Sequence, residues 1–100
     1  MKPGKPVHPS NGTGTAPTTG VEVSFDLGPN KGYQTTGMVI VTNTTAAGGN
    51  ALGVSFAGGK DKTFFSIPPQ ITISFPVAVH RCTLAGIGGN ATYSVMGVIL

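Results

Sequence analysis

The sequence predicts an all-β protein, a small β-sandwich of jelly-roll or immunoglobulin-like (Ig-like) type behind a flexible N-terminal arm. Three observations predict it. Apolar and polar residues alternate over short runs, no ten-residue stretch carries the i, i+3, i+4, i+7 spacing of a helix, and Gly, Pro and Asn clusters punctuate the chain every ~8 to 12 residues. A chain of 100 residues is one domain, and 39% apolar residues suffice for a small core.

The elements follow in order. Residues 1–20 hold four Pro, four Gly and four Thr with almost nothing to bury, so they read as the arm, and 21–100 as the sandwich. Val21, Val23 and Phe25 alternate with Glu22 and Ser24 ahead of a Gly28–Gly32 turn. Met38 to Thr42 is apolar on both phases, which suits a central strand. Leu52, Val54 and Phe56 alternate with Gly53 and Ser55, and Gly58–Asp61 closes a hairpin onto Thr63–Ile67. After Pro68-Pro69, Ile71, Ile73 and Phe75 alternate with Thr72 and Ser74. Val77–Leu84 and Ala91–Leu100 supply the last two strands, joined through Gly86–Asn90. The lack of Trp and of a second Cys argues against an antibody-type domain.

Composition excludes several functions. Only 9% of residues are charged, against about 25% in ordinary domains. The carboxylates are Glu22, Asp26 and Asp61, and the histidines His8 and His80, too few for acid–base machinery, so the protein reads as no enzyme. The basic residues Lys2, Lys5, Lys31, Lys60, Lys62 and Arg81 are scattered, so the net charge of +3 points to no nucleic acid. The longest apolar run, Met38–Val41, is far short of the ~20 residues of a membrane span. Residues 1–20 lack the apolar run of a signal peptide, and the expected site of synthesis is the cytosol.

Each constellation that suggests chemistry has a plainer reading. Gly86-Ile87-Gly88-Gly89-Asn90-Ala91 matches the letters of the dinucleotide fingerprint, but a strand pattern follows where a helix is required, so no cofactor is expected. His80 and Cys82 supply two ligands where structural zinc needs four, and Cys82 reads as a small buried hydrophobe. Glu22, Asp26 and Asp61 are too few oxygens for calcium and read as solvated charges. No catalytic, cofactor or metal residue is assigned. The sequons at Asn11, Asn43 and Asn90 follow from the Thr-rich composition.

Interface residues stand out instead. In Ser94–Leu100, Val95 and Ile99 face one side while Met96, Val98 and Leu100 face the other, and a two-layer sandwich covers only one of these. Phe64 and Phe65 are consecutive, so one faces away from the core. The interface candidates are Lys2, Lys5, His8, Met38, Ile40, Phe64, Phe65, His80, Met96, Val98 and Leu100, and the low surface charge points to a homo-oligomer.

The runs Val39–Thr44, Ala51–Gly59, Phe64–Pro69 and Ala91–Ser94 resemble small β-sandwich virion proteins of tailed bacteriophages. Gln70 departs from the pattern, which expects Gly after the two prolines. The resemblance implies a capsid decoration (cement) protein, a trimer on the capsid outer surface that clamps the major capsid protein lattice. Its alternative is a receptor- or glycan-binding module of a phage tail or fibre.

Overall fold

The computed structural model describes residues 5–9, 11–25, 36–56 and 63–99. Nine strands follow one another among the described residues: β1 (Lys5–Val7), β2 (Thr13–Ala16), β3 (Val21–Ser24), β4 (Met38–Asn43), β5 (Ala51–Ser55), β6 (Phe65–Ile67), β7 (Thr72–Phe75), β8 (Arg81–Ile87) and β9 (Ala91–Ile99). The described residues contain no helix, so the protein is all-β, as the alternation predicts.

Pairing is nested. β2 pairs with β9, β3 with β8, β4 with β7 and β5 with β6, all antiparallel, as though one long hairpin had its tip between β5 and β6. Lateral pairing of β4 with β9 and of β5 with β8 rolls that hairpin into two sheets. The larger has the order β1-β9-β4-β7, with β2 beside β1 on the same edge of β9, and the smaller has the order β3-β8-β5-β6. Such double-sheet winding of eight strands is a jelly roll.

Period-two alternation positions the core. Val39 and Val41 of β4 and Val95 of β9 face Val23, Leu52, Val54, Ile67 and Leu84 of the smaller sheet, with Phe25 just past β3 fully buried among them. Gly97 of β9 points inward too, and the Phe25 ring and Thr36 methyl occupy the space its side chain would take. Two connections are fixed by polar groups. The Thr36 hydroxyl lies 3.0 Å from the Val77 carbonyl oxygen and 3.1 Å from that of Val79, and the Phe25 N–H donates to the His80 carbonyl at 2.8 Å. These contacts hold 76–80 as a connection, so β8 starts at Arg81 and not at Val77 as the apolar run suggests. β6 likewise starts at Phe65 and not at Thr63. The turn expected at 28–32 and the hairpin tip at 58–61 lie outside the described residues.

The structure corrects the reading of residues 1–20 as an arm apart from the sandwich. Lys5–Val7 pairs with Gly97–Ile99, and Thr13–Ala16 pairs with Ala91–Ser94, so β1 and β2 together edge β9. Backbone pairing recruits them more than side-chain burial does. Val7 and Ala16 are their buried apolar side chains, and the exposed Thr13, Gly14 and Thr15 need only the ladder.

Candidate interaction surface

The outer face of the larger sheet is apolar where β4 meets β9. Register sets Met38 beside Val98 and Ile40 beside Met96, and each of these side chains is half-buried against its neighbours. Hydroxyl residues border this stripe: Thr42 pairs with Ser94 and shares a 2.8 Å hydrogen bond with Thr72 of β7.

A groove of about 280 Å³ opens beside the stripe, its walls including His8, Pro9, Thr13, Ile40, Thr42 and Met96. It exists because the edge of β9 is covered by two short strands with a break between them. In the break the Val95 N–H donates to the Gly12 carbonyl at 2.6 Å, and a Cβ on Gly12 would sit 2.9 Å from the Val95 carbonyl oxygen. Glycine is required there by close approach. The Tyr93 hydroxyl donates to the Asn11 carbonyl at 3.0 Å from the inner face, pinning the same loop.

The structure thus brings together Met38, Ile40, Met96, Val98 and the exposed His8. It places the other predicted interface residues elsewhere. Phe64 lies over Gly53 on the outer face of the smaller sheet, and Phe65 is on the inward phase, opposite Val54, yet remains 55% exposed at the open side of the sandwich. Its ring leans on Phe75, which in turn meets Phe56, with centroids 5.6 and 5.0 Å apart. His80 is exposed in the connection before β8, next to the groove formed by Phe56, Ala78, Val79 and Arg81. Lys5 contributes backbone pairing to Ile99, while Lys2 and Leu100 lie outside the described residues.

His80 and Cys82 sit in different surroundings. His80 precedes the strand, whereas the Cys82 side chain is buried in the core opposite Val23, and burial together with the Glu22 carboxylate pushes its thiol up to about 12. Such a thiol is neither a nucleophile nor a ready ligand at neutral pH. Glu22 faces out from β3, 3.9 Å from Arg81, an exposed ion pair of little energetic weight. Among the described residues no three His, Cys, Asp or Glu side chains gather as metal ligands. Sequence reasoning missed the groove, because the β1–β2 break that makes it lies inside the expected arm. The Phe56–Phe75–Phe65 cluster, open to the outside at Phe65, was half visible, as the consecutive Phe64 and Phe65.

The sequence matches no family model and no curated protein. Among solved structures, the chain is similar to the C-terminal domain of A223, a structural protein from sulfolobus turreted icosahedral virus. The likeness has a TM-score of 0.58 at 10% identity and covers 93% of this chain and 98% of that one. A cupin domain from bordetella pertussis aligns with a TM-score of 0.43 at 13% identity, over 100% of this chain and 99% of that one. The first of these likenesses shows that a solved structure shares this fold.

Proposed function

We propose that the protein is a virion structural protein of the decoration (cement) type, which sits on the capsid outer surface and clamps the major capsid protein lattice. One observation carries this reading: the apolar stripe of Met38, Ile40, Met96 and Val98 on the outer face of the larger sheet, bordered by hydroxyls. A sheet face of that kind gains free energy by burial against a second protein surface, at roughly 25 cal/mol per Å² of apolar area. The fold likeness to a structural protein of an icosahedral virus supports the same role. The action is mechanical, with the β4–β9 face laid on the shell and no bond made or broken.

Electron microscopy of particles purified from the source and incubated with labelled protein tests it. Label on the head lattice, lost in a folded Ile40→Asp, Met96→Asp double variant, is the expected result. Label confined to tails favours a receptor- or glycan-binding module, and absence of label from every particle overturns both.

A further inference from the structure

The two open sides of the sandwich are finished differently. On the side of β2 and β3, the Asn11 side-chain amide caps the Glu22 carbonyl at 2.8 Å, Pro6 removes a donor from β1, and Glu22 with Arg81 sets charges beside β3. These are the means by which sheet proteins keep edges from pairing. On the opposite side lie β7 of one sheet and β6 of the other, and no charged residue occurs from Thr63 to Val79. Among the described residues no strand pairs with the outer edge of either.

Register shows which groups face out. The Asn43 N–H donates to the Ile71 carbonyl at 3.0 Å, so Val41–Ile73 and Val39–Phe75 are the hydrogen-bonded pairs of the β4–β7 ladder. Thr72 and Ser74 therefore turn their N–H and C=O groups away from β4, and both residues are exposed. The inward phase is also incompletely covered, with Ile71 45% exposed at one end of the strand and Phe65 55% exposed on Phe75 at the other.

We propose that β7 pairs antiparallel with β7 of a second copy of this chain about a two-fold axis at Ile73, joining two larger sheets into one. Thr72 then stands opposite the partner's Ser74 and Ser74 opposite the partner's Thr72, so every outward N–H and C=O of the strand is used. Ile71 stands opposite the partner's Phe75, beside the partner's Phe65, and the apolar residues left open at the two ends cover each other. Charge favours a second copy as the occupant. An isologous contact sets charges near the axis against their own like, and a chain of net charge +3 meets itself with least repulsion through its uncharged stretch.

Size sets the strength. Phe65 offers about 100 Å² on each side, and one edge strand adds too little to reach the ~1,200 Å² of stable interfaces. The dimer is therefore concentration-dependent. Its two-fold symmetry differs from the trimer that the phage resemblance implies, and it rests on the fold and not on the virion role.

Sedimentation of the full chain from about 5 to 500 μM, a range chosen to span weak association, tests the pairing. The mass is expected to rise from 10.1 kDa toward twice that value. Ser74→Pro removes an outward N–H that β4 does not use, and Ile71→Lys sets a charge against the partner's Phe75. Each is expected to weaken association at least ~10-fold with an unchanged circular dichroism spectrum. Should Ser74→Pro fail to fold, Ile71→Lys decides. Hydrogen exchange at the Thr72 and Ser74 amides should slow as concentration rises. A monomer throughout, variants that associate like the parent, or a dimer in which those amides exchange unchanged would each overturn the proposal.

Discussion

The Asn43 side-chain amide donates to the Ile67 carbonyl at 2.8 Å, a fully buried hydrogen bond that ties β4 of the larger sheet to β6 of the smaller. The same side chain donates to the Asn50 carbonyl at 3.1 Å and accepts from the Thr45 N–H at 3.0 Å, while its backbone N–H and C=O bond Ile71 and Gln70. Five partners on four segments converge on one residue, at the end of the sandwich where the chain passes between sheets.

Asn43→Ala is therefore expected to be among the costliest polar substitutions in the chain. It strands the buried Ile67 carbonyl and the part-buried Asn50 carbonyl and Thr45 N–H, each costing up to about 1 to 3 kcal/mol when left unsatisfied, partly offset by relaxation and water entry. The expected net loss is about 2 to 4 kcal/mol, read as a lower urea midpoint with an unchanged slope. A loss below about 0.5 kcal/mol would show that the sheets do not depend on this bridge.

Gly97 carries a different kind of constraint. A Cβ there would lie 2.8 Å from the Thr36 methyl and 2.9 Å from the Phe25 ring, closer than packed carbon atoms approach. Gly97→Ala should cost about 1 to 3 kcal/mol by overpacking. Gly86→Ala should cost more, because its Cβ would meet the Gly89 carbonyl oxygen, a backbone atom that cannot swing away. Thermal unfolding midpoints of the two variants give the order directly.

Residues with a strict side-chain period were legible in the sequence, and those held by backbone contacts were not. β3, β5 and β7 follow from their alternation, β4 and β9 from runs apolar on both phases, and the outward phase of β9 announced Met96 and Val98 as surface. β1 and β2 carry Pro, Gly and Thr, and they become strands because β9 offers an unpaired ladder edge, a property of the fold and not of their own composition. Gln70 shows both sides of the matter. Its φ of 68° is the left-handed conformation for which glycine is expected after Pro68-Pro69. What holds a Gln there is a hydrogen bond from its side-chain amide to the Thr45 carbonyl at 2.7 Å, which no local pattern reveals.

Removing residues 1–16 measures how far the β1–β2 edge belongs to the sandwich. The deletion exposes one edge of β9 along most of its length and takes Val7 and Ala16 from the core. The truncated chain should unfold at a markedly lower temperature and aggregate through the bared edge. An unchanged unfolding midpoint would return this segment to the status of a detachable arm.

Cys82 gives the stability curve an alkaline slope of known sign. Burial first, and then the Glu22 carboxylate, push its thiol from 9.0 up to about 12. Below pH 9 the thiol is protonated in both folded and unfolded chains, and its contribution to stability is complete. Above that, the unfolded chain loses the proton first, the folded chain binds more protons, and stability falls as pH rises toward about 12. The buried Tyr93 hydroxyl, raised from 10.0 mainly by burial, acts in the same direction. Cys82→Ala should lose about 1 to 2 kcal/mol at neutral pH through the cavity it leaves, yet show a shallower decline between pH 9 and 11. Urea midpoints across that range separate the two effects, and an equal slope in both proteins would remove Cys82 as its source. In the parent at pH 8, a thiol reagent should react slowly with the folded chain and fully once urea unfolds it.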